Sequence, residues 1–237
     1  LQHILRDYQK TGFKWLKTLS HYGLGGILAD DMGLGKTLQV LSFLLSEKEN
    51  NPGPALVVAP TSLVYNWQDE VNKFAPQLRV AIISGMQKER QVQLQEISGA
   101  DIVVTSYPLI RRDIEMYNEL SFSYCFLDEA QHIKNPNTSN AKCVKQIKAK
   151  GYFALTGTPI ENSLTELWSI FDFIMPGYLL SHHSFVKKYE TPIIKTRDEK
   201  ALKDLGRQIK PFILRRMKKD VLKELPEKIE IKITAEI

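Results

Sequence analysis

Short runs, most of them apolar throughout, recur along the chain: GILA, ALVVA, VAII, DIVVT, YCFLD, YFALT and, near the end, IEIKITAEI. Runs of this length without polar alternation fit strands buried on both faces of a parallel sheet. Between them the apolar positions take helical spacing, as in TLQVLSFLLSE with Leu38, Leu41, Leu44 and Leu45, or in SLVYNWQDEVNKF and ERQVQLQEI. Alternating strand and helix predicts a layered α/β fold, a mostly parallel sheet with helices on both faces. From Met175 the rhythm changes. Residues 176–228 alternate basic, helix-like stretches with Pro and Gly breaks, which predicts a basic helical protrusion inserted before a final strand near residues 229–237. No repeat and no low-complexity segment interrupts the pattern, and the length suits one large α/β domain or two small ones.

The chain has 237 residues, 43% of them hydrophobic and 25% charged, as a water-soluble globular domain with a substantial core requires. No apolar run approaches the roughly 18 residues of a membrane span. The first residues lack the basic start and apolar middle of a secretory signal. The absence of an initiator Met and the stop in mid-pattern at KITAEI suggest a piece of a larger protein. Cys125 and Cys143 sit in apolar contexts without metal-ligand spacing, which fits a reducing interior and an intracellular place, cytoplasm, nucleoid or nucleus.

Charge is distributed unevenly. From Lys187 onward there are 15 basic and 9 acidic residues, against 17 and 18 in residues 1–186. A second stretch, residues 133–150, holds five lysines and no acid. Such patches usually form a solvated face; on a nucleotide-binding scaffold they favour a polyanionic partner.

The first chemistry follows the first strand. ILADDMGLGKT resembles a phosphate-binding loop, G-x-x-x-x-G-K-[ST], except that Asp30 stands where the first glycine belongs. Successive backbone N–H groups of such a loop form a nest for phosphate oxygens, and the first turn of the following helix adds partial positive charge. Gly33, Leu34 and Gly35 form the nest, Lys36 reaches the β and γ oxygens, and Thr37 holds magnesium. The missing glycine eases only the turn out of the strand.

Downstream, YCFLDEAQHIKN brings Asp128 and Glu129 to the end of another apolar run. An ATPase needs a carboxylate for magnesium and a base to polarise water; Asp128 and Glu129 suit those roles. Either motif alone has a bland reading, a capping turn or a solvated acidic pair. Together they complete one mechanism on one sheet edge, where ligands of parallel sheets bind. Thr156, Gly157, Thr158 and Pro159 end a further strand on that edge, either as a plain turn or as a sensor of the γ-phosphate.

LADDMGLGKT, APTSLVYNWQDE, VVTSY, FLDEAQHIKN, LTGTPIENSLTELWSI and ILRRMKKDVLKELPEK occur in the order seen in SWI/SNF-type ATPases. The resemblance begins at LRDYQKTGFKWL and covers essentially the whole chain. It implies the first RecA-like lobe of a superfamily-two, helicase-like DNA translocase that uses ATP and Mg2+. Asp at position 30 is usual there, whereas Asp31 replaces a more usual Glu. By the same resemblance Gln9 reads adenine, and Thr61, Ser62, Thr105, Ser106, Tyr107, Lys134 and Asn135 lie near double-stranded DNA. Arg215 and Arg216 would serve DNA or interlobe packing. Trp67 reads better as a core anchor than as a base-stacking residue. Too little sequence follows TGTP for a second lobe, so the partners implied are duplex DNA, a second lobe of the same parent, and other proteins at the protrusion. Two alternatives stay open: a binding module without turnover, and an RNA helicase lobe, which DEAQ and TGTP disfavour. His182 and His183 are adjacent and have no partner at metal-ligand spacing.

Overall fold

The computed structural model describes residues 3–51, 53–158 and 163–221. Within them seven strands form one sheet in the order β3-β4-β2-β5-β6-β1-β7. The strands are β1 (Gly26–Leu28), β2 (Ala55–Ala59), β3 (Val80–Ile82), β4 (Ile102–Ser106), β5 (Ser121–Leu127), β6 (Lys148–Leu155) and β7 (Ile213–Leu214). Every pairing is parallel. Helices α1 (Asp7–His21), α2 (Lys36–Glu47), α3 (Val64–Phe74), α4 (Gln87–Gln95), α5 (Tyr107–Tyr117), α6 (Ser139–Val144) and α7 (Leu164–Ile174) cover both faces. This is the layered, parallel α/β arrangement that the apolar runs predict, and the one that the family resemblance implies as RecA-like.

Burial explains which runs are uniform. β2 and β4 lie inside the sheet and are buried at every position, whereas β3 pairs only with β4 and is half-buried throughout. β5 and β6 start earlier than the apolar runs suggest, at Ser121 and Lys148: the first half of β6 is only partly covered and admits polar residues, whereas β5 exposes Ser121 alone and buries Ser123. Under α2 an aromatic cluster fills the core. Phe126 and Phe153 stack at 5.2 Å, and Phe43 of α2 meets them edge-on at 6.1 and 5.8 Å. All three rings are fully buried, worth up to about 3 kcal/mol each. They fix the helix whose N-terminus follows the Gly-Lys-Thr loop.

The basic stretch 133–150 is not one surface. It is divided among a 3-10 turn (Ala130–Ile133), α6 and the start of β6. Lys145 pairs with Asp172 at 2.7 Å and Lys148 donates to the Asn118 carbonyl at 2.6 Å. After α7 come α8 (His182–Phe185), a π turn (Val186–Glu190), α9 (Thr191–Thr196) and α10 (Glu199–Ile209). The His182 ring lies tilted by 49° against Trp168, with centroids 4.7 Å apart.

The stretch from 176 is not helical to its end. Ile213 and Leu214 return to the sheet beside Ile27 and Leu28, and the Leu214 carbonyl accepts from Ala29 N–H at 2.7 Å. Two apolar residues reach a β1 edge with unpaired backbone groups, and closing that edge outweighs the surrounding helical pattern. A short helix, α11 (Lys218–Val221), follows. The strand expected near 229–237 lies outside the described residues.

Candidate functional site

The strand order decides which loops meet. β6 lies between β1 and β5, so the segments leaving β1, β6 and β5 emerge side by side at one carboxyl edge. They are residues 29–35, Thr156–Thr158 and Asp128–Ile133. The cleft between the first and last of these and α3 has a volume of about 230 Å³ and is bordered by Gly33, Gly35, Lys36, Thr37, Asp128 and Glu129.

Gly33 and Gly35 have φ of 83° and 75°, the left-handed region that opens a concave nest. A Cβ on Gly35 would lie 2.5 Å from Gln9 Nε2, so the position also requires glycine sterically. Lys36 Nζ donates to the Asp30 carbonyl at 2.7 Å, which holds the ammonium over the loop. Burial pulls the Lys36 pKa down; Glu129, Asp30, Asp128 and Asp31 pull it back up, Glu129 most. Leu34 is fully buried, and its carbonyl accepts from Tyr8 Oη and Gln9 Nε2, each at 3.1 Å. It therefore anchors the loop to α1 through that carbonyl. Gln9 is also buried, and its Oε1 accepts from Arg6 N–H at 2.9 Å. Both ends of its amide are engaged within the lobe.

Asp30 departs most from the sequence expectation. It is fully buried, and its carboxylate turns away from the cleft to Arg216. Arg216 Nε donates to Oδ1 at 2.9 Å, Arg216 Nη2 meets Oδ2, and Gln39 Nε2 donates to Oδ2 at 3.2 Å. Only its backbone carbonyl serves the site. An ionised carboxylate so close to the phosphate nest would repel phosphate, and turning it inward to a guanidinium removes that conflict. The expected role of Arg216 in DNA or interlobe contacts changes accordingly, because its guanidinium is spent inside this lobe.

Asp128 is held from two sides. Trp67 Nε1 donates to Oδ2 at 2.9 Å and Glu129 N–H donates to Oδ1 at 2.9 Å. Burial raises the Asp128 pKa above the usual carboxylate value, and the Trp67 hydrogen bond opposes the rise. Trp67 is buried, so it is the core anchor its sequence context suggests, with a polar duty that its apolar neighbours conceal. Tyr107, expected near DNA, is also buried: its hydroxyl donates to the Asp128 carbonyl at 2.7 Å, and its ring stacks on His132 at 4.7 Å.

Glu129 has φ 48° and ψ 57°, a left-handed conformation unusual for a residue with a side chain. Gln131 Nε2 donates to Glu129 Oε2 at 2.8 Å, and Thr156 Oγ1 donates to Gln131 Oε1 at 3.2 Å. Thr158 N–H in turn donates to Thr156 Oγ1 at 3.2 Å. A continuous chain thus joins Glu129 to the TGT turn. A Cβ on Gly157 would lie 2.8 Å from Met32 Cγ and 3.5 Å from Lys36 Nζ, so that glycine lets the turn press against the phosphate loop. Pro159 lies outside the described residues.

The predicted DNA-facing residues divide in two. Thr61 and Ser62, in a 3-10 turn leading into α3, are exposed, as are Lys134 and Asn135. Thr105 and Ser106 are buried at the end of β4, paired in register with Val58 and Ala59. Thr105 Oγ1 donates to the Ile83 carbonyl at 3.4 Å. Side chains at the end of a strand point above and below the sheet, and at the end of β4 both positions are covered, which a hydroxyl pair read from the sequence does not reveal.

Among the described residues no group of three or more His, Cys, Asp or Glu side chains could hold a metal ion. Magnesium needs no such cage: one or two protein oxygens plus substrate phosphates suffice. Thr37 and Asp128, on the same cleft, supply oxygen donors of that kind.

A family profile described as SNF2-related domain matches residues 8–237. A Bacillus subtilis protein named putative ATP-dependent helicase/translocase YwqA is 46% identical over 96% of this chain and 25% of its own length. The Saccharomyces cerevisiae TATA-binding protein-associated factor MOT1 is 41% identical over 95% of this chain and 13% of its own. The Sulfolobus solfataricus SWI2/SNF2 ATPase core, solved in complex with dsDNA, superposes with a TM-score of 0.86 and 44% identity, covering 94% of this chain and 47% of that one. The chain thus spans a quarter or less of these curated relatives and about half of the solved core.

Proposed function

The chain belongs to the SNF2-related family, and on that premise we propose that it is the ATP-binding lobe of a DNA-dependent ATPase that moves along double-stranded DNA. It hydrolyses ATP when a second lobe closes the cleft. The observation that carries this reading is the convergence of Lys36, Thr37, Asp128 and Glu129 on one cleft at the carboxyl edge of the sheet.

Each residue has a derivable task. The Gly33–Gly35 nest and the first turn of α2 receive phosphate oxygens through N–H groups. Lys36, already aimed across the loop by the Asp30 carbonyl, neutralises charge on the β and γ phosphates. Thr37 and Asp128 would hold magnesium, which screens the phosphates and orients the γ group. Glu129 orients and polarises the attacking water, and Gln131 fixes the carboxylate while keeping it connected to Thr156. The exposed Thr61, Ser62, Lys134 and Asn135 meet duplex phosphates. Hydroxyls and lysines of this kind position a phosphate chain without reading bases. The sites lie within an intracellular protein, and α8–α10 offer a surface for accessory proteins.

Calorimetry and a DNA-stimulated ATPase assay on the parent protein test the reading together. Lys36→Ala should abolish Mg-ATP binding, while Glu129→Gln should bind Mg-ATP and fail to turn it over. Equal binding by wild type and Lys36→Ala would refute the site. The lobe alone should hydrolyse slowly even with saturating duplex, because arginine fingers are worth roughly 10³ to 10⁵ in rate. Full-speed hydrolysis by the lobe alone would refute the two-lobe requirement.

A further inference from the structure

The segment that returns from the protrusion runs across the leading half of the phosphate loop. Four contacts tie the two together. Ala29 N–H donates to the Leu214 carbonyl at 2.7 Å and Asp31 N–H to the Arg216 carbonyl at 3.0 Å. Arg216 N–H donates to Asp30 Oδ1 at 3.1 Å, and Lys218 N–H to Asp31 Oδ2 at 2.9 Å. Both acids of the ADD sequence thus accept hydrogen bonds from this one segment.

Arg216 is the centre of the assembly. Besides its fork onto Asp30, its Nη2 donates to Gln39 Oε1 at 2.7 Å and its Nη1 reaches the Tyr8 carbonyl. Its guanidinium carbon stands 5.2 Å from the centroid of the Tyr8 ring. One side chain thus joins α1, the phosphate loop and α2, the three elements that frame the nest. Gly12, in the middle of α1, marks the same spot. A Cβ there would lie 1.8 Å from Gln39 Oε1 and 2.9 Å from Arg216 Nη2. A glycine inside a helix costs about 1 kcal/mol relative to alanine; here it leaves room for the guanidinium.

We propose that residues 213–218 form a latch on the phosphate loop, that Arg216 is a positioning residue for nucleotide binding, and that nucleotide occupancy and latch closure favour one another. In an ordinary phosphate loop the first position is glycine and the turn holds itself. Here Asp30 occupies that position, and its carbonyl holds Lys36 while its carboxylate is held by Arg216. The geometry of Lys36 therefore depends on a residue 180 positions later in the chain. Because coupling between two sites is reciprocal, bound nucleotide tightens the latch by the same factor by which the latch tightens nucleotide. The proposal rests on the nucleotide reading of the loop.

The test uses the full-length protein with Mg-ATP as ligand. Wild type, Lys36→Ala, Arg216→Gln, Arg216→Lys and the neutral pair Asp30→Asn/Arg216→Gln are compared by calorimetry, thermal melting and hydrogen exchange. Expected are loss of Mg-ATP affinity of roughly tenfold or more in Arg216→Gln, the scale at which outer partners of a ligand site act. Arg216→Lys should not restore it, because one ammonium cannot replace a fork that holds Asp30, Gln39 and the Tyr8 carbonyl. In wild type, Mg-ATP should slow exchange of the amides of Ala29, Asp31, Arg216 and Lys218; in the neutral pair it should not. A purely structural Arg216 would lower the melting temperature and leave the affinity of the folded fraction and this exchange response intact, which would overturn the proposal. If Arg216→Gln fails to fold, the neutral pair carries the same test without a buried unpaired carboxylate. Wild-type affinity in the folded neutral pair would likewise overturn it. Failure of the nucleotide reading is distinguishable, since Lys36→Ala would then bind like wild type.

Discussion

Trp67→Phe isolates a single hydrogen bond at the site. The indole N–H is one of two donors on the Asp128 carboxylate, at 2.9 Å on Oδ2, with Glu129 N–H at 2.9 Å on Oδ1. Phenylalanine keeps a ring in the core and removes that donor. A hydrogen bond to a charged group is worth about 1.5–3 kcal/mol, and it favours only the ionised carboxylate. Burial already pushes the Asp128 pKa up, and the Trp67 bond is the largest opposing influence. Losing it raises the pKa further and makes protons stronger competitors for magnesium. At 1.36 kcal/mol per tenfold, the competition shifts by about tenfold to a hundredfold. The sign follows from the carboxyl. The metal-free folded form binds the Asp128 proton more tightly than the unfolded chain does, so this group destabilises the metal-free fold as pH rises through its titration. The assay is the magnesium concentration for half-maximal ATPase of the parent protein, measured from pH 6 to pH 8. The variant should need more magnesium than wild type, and the ratio between them should grow as pH falls. A ratio constant across the range, with only a lower melting temperature, would refute the electrostatic role and leave Trp67 as packing alone.

Phe43→Ala should cost about 3–5 kcal/mol in denaturant unfolding, since it removes the ring that seats α2 on Phe126 and Phe153; a loss under 1 kcal/mol would contradict that packing. Duplex affinity should fall with salt at about −0.9 per neutralised phosphate on a log–log plot, and Lys134→Ala should flatten the slope by about one for unrelated sequences alike. Fluorescence anisotropy reads both, and a preference for one duplex would contradict phosphate-only contact. Ser106→Ala should leave duplex affinity within about twofold, whereas Thr61→Ala with Ser62→Ala should weaken it; the reverse order would refute the assignment of the exposed pair.

What the sequence disclosed and what it withheld divide along a physical line. Interior strands such as Ala55–Ala59 are legible because both faces are buried and every residue is apolar. The meeting of the Gly-Lys-Thr loop and the acidic pair at one cleft is legible because both motifs follow apolar strands of one parallel sheet. Side-chain direction is not. Asp30 reads as a loop residue until its partner, far away in sequence, is in place. Thr105 and Ser106 read as accessible hydroxyls until the end of β4 is seen to be covered on both faces. Two signals were nonetheless present. An acid at the end of a buried strand demands a cation, and a glycine within the α1 pattern demands a close neighbour. Arg216 answers both.

The left-handed backbone of Glu129 sets the interests of folding and turnover against each other. A residue with a side chain at φ 48° carries strain on the order of 1–3 kcal/mol, which glycine would relieve and asparagine would lessen. Glu129→Gly and Glu129→Asn should therefore melt above wild type while hydrolysing nothing. A lineage retained only for nucleotide docking, released from the need to split ATP, would drift toward those two residues at this position. Under the proposed role, glutamate at 129 places the carboxylate beside the phosphate loop at the cost of that backbone strain, so stability and turnover are set against each other at one residue.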